Sequence, residues 1–230
     1  MRGKGNAFVV LLCLVLAIAA TGKEQVKPWT QWTLKDVEKI LNDSAWGKTQ
    51  TETDTRQMTV RPGAGGVMQP TSVNYRIRFL SAKPIRQALL RMLELNRSKS
   101  AQEQVGRAQE FVDRKYDSTI VIAVNFERYT GADEGTLGPI RQAFGSATTS
   151  LLANNTYLEI KGKRLFLQEY QAPSGDDLGG KFIVPRLVDD KPFIDPKGGE
   201  VRFVAPIPRG ITINMRFRIS DFMYEGTLEY

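Results

Sequence analysis

The chain contains no histidine, and its one cysteine, Cys13, sits inside an apolar run near the start. Those absences close most familiar catalytic routes. Without an imidazole there is no Ser-His-Asp triad, no Cys-His dyad and no histidine-ligated zinc site. Carboxylate chemistry, Ser-Lys chemistry and calcium held on carboxylates and carbonyls stay open. Charge of one sign is scarce as well. The 230 residues carry 32 Lys and Arg against 25 Asp and Glu, and no run of five or six like charges breaks the mixture. Such a distribution points to neither a nucleic-acid-binding arm nor a polybasic membrane patch.

Long hydrophobic runs are missing too. The apolar stretch Ala7 to Ala19 (AFVVLLCLVLAIA) is shorter than the roughly 20 residues that cross a bilayer. It follows the basic residues Arg2 and Lys4 and ends in Ala17-Ile18-Ala19, a small-x-small cleavage pattern, with Ala20-Thr21-Gly22 as a second. Residues 1–22 therefore read as an export signal cleaved near Ala19 to Gly22. Leu12 precedes Cys13 where a lipidated cysteine needs a small residue. The expected location is periplasmic or secreted, and an uncleaved signal anchoring the domain in the membrane is the alternative. Once Arg2 and Lys4 are removed, the 32 basic residues fall to 30 against the same 25 acidic ones. The mature chain has no cysteine, so its stability must come from core packing.

All three tryptophans, Trp29, Trp32 and Trp46, fall between Pro28 and Trp46. Thr33 with Asp36 resembles a capping box, and Leu34, Val37, Ile40 and Leu41 then share one helical face. Three indoles beside a short amphipathic helix offer more apolar area than that helix can hide, so they must dock. The docking is expected mainly onto the chain's own sheet. A partner-binding face made of Trp29, Trp32 and Trp46 is the alternative.

Gly47 is expected to cap that helix, and residues 48–57 read as a linker or a solvated edge strand. Pro62 to Gly66 reads as a flexible turn and lacks the Lys-Ser or Lys-Thr of a phosphate loop. Ser72 to Leu80 alternates, with Val73, Tyr75, Ile77 and Phe79 on one face and Asn74, Arg76 and Arg78 on the other. Pro84 to Leu95 carries a helical stripe, and Ser100 with Glu103 opens a second helix through Val105, Ala108 and Val112, making an αα-hairpin. Thr119 to Phe126 reads as a strand covered on both faces, residues 128–136 as a loop, and Ile140, Phe144, Ala147 and Leu151 as one more helix. From Thr156 onward the pattern is β throughout, with strict alternation in Ile211 to Ile219. The fold class is thus α+β. A mixed α/β region (23–155: Trp-rich helix, strand, αα-hairpin, strand, helix) precedes an antiparallel, sandwich-like β region (156–230), with one continuous domain as the alternative to two.

The segment ending Ser44-Ala45-Trp46, the run Ser81-Ala82-Lys83-Pro84-Ile85-Arg86, the block Phe182-Ile183-Val184-Pro185-Arg186 and the closing Phe222 to Tyr230 resemble a group of uncharacterised exported bacterial proteins. The resemblance covers nearly the whole mature chain. It implies a compartment and no reaction.

The remaining polar constellations are weakly specific. Asp176-Asp177 lacks the spacing of a calcium loop, Asp189-Asp190 reads as a hairpin turn, and Asp133-Glu134 as an exposed loop pair. Ser98-Lys99 sits in a polar turn, where a lysine keeps its ordinary pKa. No catalytic, metal or cofactor residue is assigned. The expected function is a non-catalytic binding or structural module of the bacterial envelope, with an envelope protein or polysaccharide as partner, no nucleic acid and no small-molecule cofactor. A carboxylate-using hydrolase is the alternative. Mass spectrometry of the exported protein is expected to find its first residue between Ala20 and Lys23; a retained Met1 would establish the anchor instead.

Overall fold

The computed structural model describes residues 27–60, 68–96, 105 and 109–230. The export segment, the turn at 62–66, the Ser98-Lys99 pair and the Ser100 and Glu103 capping box lie outside them. In chain order come α1 (Leu34–Asn42), β1 (Gly47–Val60), β2 (Met68–Phe79), α2 (Lys83–Leu95), β3 (Thr119–Thr130), α3 (Glu134–Ser146) and α4 (Thr149–Leu152). The β-rich remainder is β4 (Tyr157–Ile160), β5 (Lys163–Phe166), β6 (Glu169–Gln171), β7 (Gly180–Pro185), β8 (Leu187–Val188), β9 (Lys191–Pro192), β10 (Glu200–Ile207), β11 (Ile211–Arg218), β12 (Met223–Tyr224) and β13 (Thr227–Leu228). This is an α+β fold with a sheet-rich second half.

Two antiparallel sheets face each other. One has the order β1-β2-β3-β7-β6 and the other β11-β10-β4-β5. The alternating apolar residues of β2 supply one inner face and those of β11 the other. Phe79 meets Phe217 edge-on at 4.9 Å, and Phe182 of β7 meets Phe203 of β10 at 5.4 Å. Both sit in one continuous core. β6 and β7 come from the second region yet complete the sheet begun by β1 to β3, so the two regions share a sheet as well as a core.

The sheets are stitched together on both sides. On one side a single extended segment passes from β5 to β6: Leu167 N–H donates to Thr156 O at 2.9 Å and Gln168 N–H to Ile183 O at 2.9 Å. On the other side, where β1 and β11 are not laddered, a side chain takes over. Gln50 donates its amide Nε2 to Thr212 O at 2.8 Å and accepts Asn214 N–H on Oε1 at 2.9 Å. A primary amide carries the same donor and acceptor as a peptide, so Gln50 mimics one residue of the missing strand.

Several local expectations shift. Gly47 opens β1 instead of capping α1; Asp43 takes the cap position. Glycine is needed there because a Cβ would collide with Leu41 O and lie 2.7 Å from Ile40 O. Residues 48–57 lie in edge strand β1. β3 keeps Ile120 to Val124 buried, as a doubly covered strand should, but runs on to Thr130. Residues 134–136 then start α3, because Asp133 accepts Thr136 N–H at 2.9 Å and supplies the N-cap. The chain leaves the helix at Ala147 and restarts at Thr148, which rotates Leu151 outward (56% exposed) and buries Leu152 in its place. Of the second helix in the expected αα-hairpin, residues 109–113 are helical and Val112 is buried.

Glu52 lies beside the Gln50 stitch, accepting from Gln50 Nε2 at 3.1 Å. Burial pushes its carboxyl above the ordinary value of 4.5, against hydrogen bonds from Gln50 and the Thr212 backbone. The folded state therefore binds this proton more tightly than the unfolded chain, and its contribution to stability falls as pH rises from 4.5 through the raised value. Glu52→Gln is expected to remove that fall and to stabilise the protein at neutral pH, leaving acid stability unchanged. Denaturant midpoints across pH check it.

Candidate functional site

The tryptophan segment starts as its sequence suggests. Thr33 accepts Asp36 N–H at 3.3 Å and donates its own N–H to the Asp36 carboxylate at 2.8 Å. That backbone bond, with Lys27 close by at 2.9 Å, holds Asp36 well below the usual carboxylate range. The capping box fixes α1 with Val37 and Leu41 inward. Trp32, 6% exposed, donates its indole N–H to Lys27 O at 3.2 Å. Trp46, 9% exposed, donates to Glu229 O at 2.7 Å and meets Tyr224 edge-on at 5.8 Å. Trp29 is half-buried against the core. The three indoles form no shared exposed face, since Trp32 and Trp46 are drawn into the core.

The paired arginines of β2 are drawn inward too. Arg78 donates to Leu41 O at 3.0 Å and to Asn42 Oδ1 at 2.8 Å, closing the C-terminal end of α1. Burial brings its pKa down to about 10. Arg76 pairs with Glu127 and bonds Thr49. The acidic pairs serve as structure. Asp133 caps α3, Asp176 binds Lys181 at 2.6 Å, and Asp189 and Asp190, with φ of 50° and 57°, form the β8–β9 turn.

Among the described residues, two depressions stand out, each lined by five cations. The first lies beneath the last nine residues. β12 and β13 form a hairpin whose turn is Glu225-Gly226, with φ of 49° and 81°. Glu229 then places its carboxylate on Lys83 N–H at 2.9 Å, at the start of α2, where Ala82 has no side chain to cap with. Tyr224 donates its hydroxyl to Gln87 Oε1 at 2.7 Å. Arg186 lies over the Tyr230 ring at 3.7 Å and donates to Tyr230 O at 2.7 Å. Under this clasp is a cavity of about 400 Å³ lined by the cations Lys83, Arg86, Arg114, Lys115 and Arg186 and by Asp113, Asp117 and Glu229. Residue spacing gives no sign of it. Its lining comes from four stretches far apart in the chain, and Arg86 is buried beside Gln87 in the first turns of α2.

The second depression, about 750 Å³, opens between the β4–β5 turn, the β8–β9 hairpin and the segment 193–198. Lys161, Lys163, Arg164, Lys191 and Lys197 line it, against Asp189 and Asp195, over an apolar floor that includes Phe193. Arg164 is engaged with Glu159 at 2.8 Å and stacks on Tyr157 at 4.3 Å. Among the described residues, Lys163 and Lys191 meet no carboxylate at ion-pair distance.

Truncating Trp46 removes a buried indole, its contact with Tyr224 and the bond to Glu229 together. Trp46→Ala is expected to cost about 3–5 kcal/mol, and Trp46→Phe, which keeps most packing and loses the hydrogen bond, nearer 1 kcal/mol. Chemical denaturation of both variants checks the order. No family model, curated protein or solved structure matches the chain.

Proposed function

We propose that this chain is an exported, non-catalytic binding module of the bacterial envelope that docks an acidic polysaccharide through its β-rich half. The observation that carries the reading is the lysine-lined groove. Five cations from three separate stretches converge on one opening, and four of them, Lys161, Lys163, Lys191 and Lys197, meet no described carboxylate at ion-pair distance. Exposed cations of this kind act on recognition and encounter, and their effect fades as salt screens them. Phe193 and the neighbouring aliphatic residues give the groove an apolar floor on which a sugar face can rest. The export signal expected from residues 1–22 and the absence of histidine support a binding role in that compartment.

The test is retention on immobilised alginate, a polyuronate, with dextran as the uncharged control. The protein is expected to bind alginate and to elute as salt rises. Lys163→Glu with Lys191→Glu is expected to weaken binding on the order of tenfold at low salt, with an unchanged thermal midpoint. Equal retention on dextran, or no loss in the double variant, would overturn the reading.

A further inference from the structure

We propose that the cavity beneath the C-terminal hairpin binds the phosphoryl group of a small ligand, held by the buried guanidinium of Arg86. Arg86 is only 5% exposed, and among the described residues no carboxylate lies within ion-pair distance of it. Three backbone carbonyls fix its orientation instead. Nε donates to Val112 O at 3.1 Å, while Nη1 donates to Leu80 O at 3.3 Å and to Ser81 O. Tyr116 covers one flank with its ring 5.0 Å away. The third nitrogen, Nη2, takes part in none of these bonds, and it is not among the buried atoms left without a partner. Since Arg86 lines the cavity, Nη2 is the edge that opens onto it.

A buried charge without a counter-ion is costly, and burial pushes this guanidinium below its ordinary pKa. An oxyanion in the cavity offsets that cost. Carbonyl-fixed Arg86 is a preorganised donor, and its remaining nitrogen, Nη2, has two N–H groups to offer an oxyanion. Arg186, anchored on Tyr230, supplies a second guanidinium to the same cavity, and the exposed Arg114 and Lys115 stand at its rim. The nearby Glu229 carboxylate is already committed to the first N–H of α2. The volume, about 400 Å³, leaves room beyond one phosphoryl group.

The experiment is calorimetric titration of the intact protein with inorganic phosphate and, separately, with glycerol phosphate, at constant ionic strength in chloride. Saturable binding of at least one is expected. Binding of inorganic phosphate assigns the site to the free anion; binding of glycerol phosphate alone assigns it to an ester, and either supports the proposal. Arg86→Gln alters carbonyl anchoring and can compromise folding, so the decisive variant is Arg114→Gln with Lys115→Gln at the exposed rim. It is expected to weaken binding three- to tenfold with an unchanged melting temperature in chloride. Lys163→Glu with Lys191→Glu, in the separate groove, is expected to leave phosphate affinity as it is. No saturable binding of either ligand, unaltered affinity in the rim variant, or loss of affinity in the groove variant would overturn the proposal.

Discussion

One residue near the end of the chain couples the parts of this fold that sequence keeps apart. Glu229 accepts the Trp46 indole N–H on its carbonyl and the first N–H of α2 on its carboxylate. The first bond anchors the tryptophan that closes the turn between α1 and β1. The second provides an anionic cap for a helix whose own cap residue is alanine, where unpaired N–H groups and the helix dipole both favour negative charge. The remaining clasp contacts, Tyr224 to Gln87 and Arg186 to Tyr230, depend on the same nine residues lying where Glu229 holds them. Helices α1 and α2 are thereby tied to the sheets by a short hairpin and the two residues that follow it.

The same economy appears at the seam between the sheets. Antiparallel sheets leave edges whose backbone groups need partners. Here one edge is handled by a segment that changes sheets between Phe166 and Glu169, and the opposite edge by the side chain of Gln50. The result is sandwich-like in its two facing inner surfaces and nearly closed in its outer circuit. Closure of this kind protects the core without disulfides, which the chain after residue 22 has no cysteine to form. It also leaves the three hairpin turns near β4, β8 and β12 as the places where charged side chains collect.

What the residues disclose in advance follows from the range of the forces involved. Alternation in β2 and β11, the doubly covered run in β3, the cap of α1 and the turn at Asp189-Asp190 are legible because each depends on neighbours within a few positions. The end of α3 was less so: the stripe Ile140, Phe144, Ala147 continues through Leu151 on paper, and only the break at Thr148 assigns Leu152 to the core. Gly47 illustrates the same limit, since its role is set by carbonyls of the preceding helix and not by a cap. The two basic depressions were not legible at all. Their cations are dispersed along the chain among acidic residues, and only the fold brings Lys83, Arg114 and Arg186, or Lys161 and Lys191, to one opening.

The long reach of the Trp46–Glu229 bond, 183 positions along the chain, has a kinetic side. A contact of that separation must close a loop of 183 positions, and folds dominated by such contacts assemble slowly. The bond cannot form during synthesis until Glu229 has emerged, so a nascent chain carries α1, Trp46 and the uncapped start of α2 in an unfinished state throughout. Its final closure is a late, all-chain event. Until then the first turn of α2 and the indole of Trp46 lack the partner that Glu229 supplies to both.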